Sequence, residues 1–145
     1  NFVGFRAFHA EFVGMSIPEF SGVIPITAFY VGLHGLLAVV LANFVLFIRL
    51  RPRSPEWQAA AALRVQANFI ENVPIALLLL LVLEIQGIPT IALHAFGGLL
   101  FLFRCLHAVG LGTIEAPNYP RLIGAQGTFV LVSVMAIACL ASTLS

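Results

Sequence analysis

The sequence predicts an all-α membrane protein, an up-down bundle of four transmembrane helices. Three observations predict it. Of the 145 residues, 61% are hydrophobic and only 9% charged, where a soluble domain carries roughly 45–50% and 25%. The mean hydropathy is +1.06. Apolar runs long enough to cross a bilayer, about 20 residues each, recur four times between short polar breaks. The length bounds the chain to one domain. The net charge of +1 says nothing about nucleic acid, and with no basic run in the chain no nucleic-acid partner is expected.

Taken in order, residues 1–23 read as an N-terminal extension. Phe2, Phe5, Phe8 and Phe12 recur at helical spacing, with Arg6, His9 and Glu11 between them. That pattern suits a short helix lying in the membrane interface, and it is too short and polar to span. Met15 is a candidate start for the region that carries the spans. Pro18, Ser21 and Gly22 break the pattern. Residues 24–145 form the membrane domain. Its first span is expected over residues 24–50, with Pro25 suited to a first helical turn. His34 and Asn43, its strongly polar side chains, are expected as packing contacts, because no second ligand sits at metal spacing. Arg49, Arg51 and Arg53 with Pro52 and Pro55 mark its end. Span two covers residues 58–85, opened by Trp57 as an interfacial anchor and with Pro74 as an expected kink. Glu84, Gln86, Gly87 and Pro89 are expected in the turn. Span three covers residues 90–111, and a loop with Glu115, Pro117 and Asn118 leads to span four, residues 121–141. Short turns make successive helices antiparallel neighbours. Cys105 and Cys139 sit in apolar runs and read as small hydrophobes; no spacing suggests a metal.

This topology puts Arg49, Arg51, Arg53, Arg64, Arg104 and Arg121 at one membrane face or its near half. By the excess of basic residues that cytoplasmic loops carry, that face is expected to be the cytoplasmic one. The stretch from Arg64 to Pro74 concentrates the polar groups. Arg64, Asn68 and Glu71 stand at i, i+4 and i+7, within about 60° on a helix turning 100° per residue, and Gln66 lies roughly opposite. Two readings are open. The residues are glue between helices, or they face a ligand or a water-filled cavity.

The pattern Arg64-x-Gln66-x-Asn68-x-x-Glu71-x-x-Pro74 resembles the second-helix signature of the MAPEG family, the membrane-associated proteins of eicosanoid and glutathione metabolism. The resemblance is to its microsomal glutathione transferase-like members and to a bacterial-type branch. It implies a homotrimer with glutathione as cosubstrate, bound between neighbouring subunits. Carried over residue by residue, it implies glutathione contacts at Arg64, Gln66, Asn68 and Glu71, at Arg104 of the third helix, and at Arg49 or Arg51 ending the first. His107 joins them by depth. Arg121, following a Pro-containing loop, resembles the family's catalytic arginine. Asn72 departs from the tyrosine common in eukaryotic members, and His107 and Leu111 stand where leukotriene C synthase has tyrosines.

The chemistry fits the residue types. Arginine grips carboxylates through a planar fork, Glu71 would answer glutathione's ammonium, and Asn68 can both donate and accept. A guanidinium at a helix N-terminus, such as Arg121, would favour the thiolate. For Arg104 an ion pair with Glu71 or Glu115 is as open as a ligand role, and for His107 a structural hydrogen bond leads. The expected activity is that of a transferase or peroxidase acting on a lipophilic small-molecule substrate. The alternative is a non-catalytic scaffold or accessory subunit of a larger membrane complex, reached through the N-terminal extension. An arginine-lined solute pathway is a third, weaker reading.

Overall fold

The computed structural model describes residues 25–51, 55–113 and 118–144. The expected interfacial helix within residues 1–23, together with Arg53 and Glu115, lies outside them. Four helices make up the fold: α1 (Pro25–Leu50), α2 (Glu56–Ile85), α3 (Thr90–Thr113) and α4 (Tyr119–Leu144). Each is long and apolar enough to cross a membrane, and the chain is an all-α integral membrane protein. At 1.5 Å per residue α2 reaches about 45 Å, more than the hydrocarbon layer, so it extends beyond the lipid tails. It runs unbroken through Pro74. α3 and α4 outrun their expected bounds because polar and small residues at their ends stay helical.

The helices do not form a closed square. α2 and α3 each pack against all the others, whereas α1 and α4, among the described residues, do not touch. The surface is strongly apolar, with Ile91 82% and Leu36 69% exposed, as a lipid-facing exterior requires. Water gives no drive for apolar helices to associate in lipid, so close van der Waals approach must supply it. Glycines on two helix pairs allow it. A Cβ on Gly124 would overlap the His107 backbone nitrogen, and one on Gly110 would overlap the Arg121 backbone nitrogen, which brings α3 and α4 together. The Tyr30 ring lies on Gly97 in the same way, joining α1 to α3.

The turn between α2 and α3 is a Schellman closure. Gly87 takes φ +78°, a conformation that costs glycine little. Its N–H donates to the Glu84 carbonyl (3.0 Å), and Ile88 N–H donates to the Leu83 carbonyl (3.1 Å). Glu84 itself belongs to α2, not to the turn where the sequence placed it. Its carboxylate accepts from the Ile26 and Thr27 backbone N–H groups at 2.9 and 2.7 Å. Those donors open α1 and have no partner within their own helix, while Pro25 before them has no N–H to satisfy. One helix's carboxylate thus caps another's N-terminus. Asn43 also differs from expectation: it is exposed and donates back to the Val39 carbonyl at 2.9 Å, so it stitches its own helix.

Candidate functional site

Between an apolar core at the α2–α3 turn end, built on Leu80, Leu83, Leu100 and Met135, and another around Leu41, Val65, Phe69 and Leu111, the bundle carries a polar layer. Its centre is Arg104, 2% exposed. One guanidinium NH2 donates to Asn68 Oδ1 at 2.8 Å and more weakly to the Asn68 carbonyl at 3.4 Å. The other donates to Thr128 Oγ1 at 2.5 Å and to the Gly124 carbonyl at 3.3 Å. Among the described residues, α2 and α4 therefore hold this α3 cation through neutral groups. Among the described residues Glu71 is not its partner, contrary to one form of the ion pair expected from sequence, and Glu115, the other, lies outside them. Thr128 also donates to the Gly124 carbonyl (2.8 Å), and Asn72 donates to the Asn68 carbonyl (2.8 Å). Asn72 thereby steadies the helical turn that presents Asn68.

Two buried histidines lie on α1 and α3, His34 and His107. His34 is fully buried between the Phe69 and Phe101 rings, and its Nδ1 lies 2.7 Å from the Tyr30 carbonyl. His107 places Nδ1 3.2 Å from the Arg121 carbonyl. A carbonyl can only accept, so Nδ1 carries the proton in both. The His107 bond is the structural role favoured from sequence. Among the described residues three buried nitrogens in the layer, His34 Nε2, Arg104 Nε and His107 Nε2, find no protein partner, and such groups favour ordered water or a polar ligand.

Arg121 sits at the start of α4, which Asn118 builds. Asn118 Oδ1 accepts from Arg121 N–H at 3.0 Å, and its Nδ2 donates to the Gly110 carbonyl at 2.7 Å. This is an N-cap on the third helical residue, fastened at the same time to the end of α3. Pro120 between them removes a donor the cap does not need to reach.

The candidate residues thus fall into two sets. Asn68 and Arg104 meet inside the bundle, with His107 buried three residues further along α3 and bonded to Arg121. Arg49, Arg51, Arg64 and Glu71 are exposed, and Gln66 and Arg121 half-buried. Arg64 and Glu71 share the outward face of α2 with Ala67, Ile75 and Leu78. The structure keeps the inner set within the bundle and leaves the outer set at its surface. Thr128 and Gly124 have no sequence signal toward Arg104, since they lie 24 and 20 residues from it. Cys139 is buried and Cys105 half-buried. Among the described residues no cluster of His, Cys, Asp or Glu could hold a metal.

Fold and polar layer together define a polytopic helical membrane protein with a cation built into its interior. The MAPEG family model matches residues 27–141, and the chain belongs to the MAPEG family. No curated protein and no solved structure matches it.

Proposed function

We propose that this chain is a glutathione-dependent membrane transferase or peroxidase, working as a homotrimer on lipophilic electrophiles. One observation carries the reading: Arg64 and Glu71 are exposed on a membrane-spanning helix. Glu71 stands 15 residues after Glu56, roughly 22 Å along α2, at a depth where an ionised carboxylate facing lipid tails is expensive. A neighbouring subunit covering that face, with a zwitterionic ligand between, removes the cost.

In this arrangement Arg64 and an arginine ending α1, Arg49 or Arg51, take the glutathione carboxylates. Glu71 takes the ammonium, and Gln66 the peptide groups. Asn68 has its oxygen turned to Arg104, so it offers its amide N–H. Arg104 and His107 act as positioning residues, one fixing Asn68 and the other the first turn of α4. Arg121, on that turn, faces the sulfur. A guanidinium beside a helix N-terminus favours the thiolate, whose proton leaves to water. The thiolate then forms a bond to the electrophilic atom while the leaving group takes the bonding pair. The arginine-bearing face is assigned to the cytoplasm.

Mixing the purified trimer with glutathione should produce the ultraviolet absorbance of a thiolate. Arg121→Ala should lower turnover about a hundredfold while glutathione still binds. No glutathione binding at millimolar concentration by an intact trimer would overturn the enzymatic reading and favour the accessory-subunit one.

A further inference from the structure

The apolar surface is not smooth. A groove of about 250 Å³ runs between α1 and α3, lined by Leu37, Val40, Leu41 and Phe44 on one side and by Cys105, Ala108, Val109 and Gly112 on the other. Its origin is a size mismatch. α1 contributes large side chains at i, i+3, i+4 and i+7, and α3 answers with mostly small ones at the same intervals. Gly112 leaves room for the Phe44 ring. Seven residues of rise give a slot about 10 Å long, parallel to the helices. Its volume is below the roughly 300–1,000 Å³ of sites for drug-sized ligands. Such a slot fits a length of hydrocarbon chain.

Hydrocarbon alone would not select it, because leaving one apolar surroundings for another gains little. The selective element lies at the end of the stripe. Arg51 follows Phe44 by seven residues, so it returns to within about 20° of the same helix face, roughly 10 Å nearer the membrane surface. Arg51 lies one residue past the end of α1, and its N–H still closes a turn on the Ile48 carbonyl at 3.3 Å. The guanidinium is exposed and lies 5.9 Å from the Phe47 ring centroid. Arg49, by contrast, points about 140° away from Phe44.

We propose that this groove and Arg51 form a binding site for an anionic phospholipid, one acyl chain in the slot and its phosphate on the guanidinium. The site is separate from the glutathione reading and leaves Arg49 as the first-helix arginine available to glutathione. Cys105, half-buried in the groove wall, is a built-in reporter.

The test uses the full chain carrying Cys139→Ser in nanodiscs of phosphatidylcholine, with or without phosphatidylglycerol. A membrane-permeant maleimide reads Cys105, and native mass spectrometry counts retained lipid. Phosphatidylglycerol should slow labelling of Cys105 and co-purify with the protein. Arg51→Gln should weaken its retention about fivefold and abolish the slowing, and Arg49→Gln should change neither. Ala108→Leu, which fills the slot, should lose the retained lipid with Arg51 intact. Equal protection in both lipids, or protection indifferent to Arg51→Gln, would overturn the proposal. So would protection that rises with protein concentration, which would assign the groove to a second copy of this chain.

Discussion

Arg104 keeps a full positive charge inside the bundle on neutral partners, so each of those partners matters more than an ordinary hydrogen-bond acceptor. Thr128→Val keeps the volume but strips the oxygen from a 2.5 Å bond. The stranded guanidinium N–H should lower stability by about 2 kcal/mol, read as a fall in thermal midpoint in detergent. Adding Arg104→Leu should recover much of that loss, because a removed charge needs no partner. The double variant should nevertheless lose glutathione affinity, since Asn68 is no longer held. Recovery of both stability and affinity would make Arg104 dispensable to the site. The sequence showed Arg64, Asn68 and Glu71 on one stripe because helical periodicity is local. It could not show that Asn68 turns its oxygen inward while Arg64 and Glu71 stay out, nor that a threonine two dozen residues away completes the arginine's shell. Those facts depend on how α3 and α4 meet.

At the level of the helices, hydropathy made all four legible, and Gly87 with Pro89 marked the closure between α2 and α3. Contacts between elements were not legible. Glu84 reads as a turn residue, yet it caps α1. Glu84→Ala should cost about 1–2 kcal/mol and speed amide hydrogen exchange at Ile26 and Thr27. Exchange there at the parent rate would mean that the cap contributes nothing. The α3–α4 seam is less forgiving. Gly124 leaves space for nothing larger against His107 and Phe103, so Gly124→Val should cost about 3 kcal/mol or more and displace the Arg121 turn with it. Loss of the glutathione-dependent thiolate signal in protein that still folds would report that displacement.

For the whole molecule, the open arrangement with α1 and α4 apart leaves α2 exposing a mid-span carboxylate, and this is the physical case for assembly. Cross-linking in native membranes should give a trimer. Glu71→Leu should remain inserted while losing glutathione binding, and a monomeric protein that still binds glutathione would refute the shared site. Oligomeric state leaves little trace in one chain's hydropathy, because a subunit-facing and a lipid-facing surface are both apolar. The exposed glutamate among Ile75, Leu78 and Ala67 is the feature on which the proposed assembly rests. The capped start of α1 has a further consequence, for biogenesis. The acceptor for Ile26 lies 58 residues downstream, so a nascent chain delivers its first span to the bilayer long before the group that anchors that span's leading end has been synthesised. Until α2 emerges, those amides must borrow water or lipid headgroups, and the opening helix takes its final seat only when the hairpin is complete.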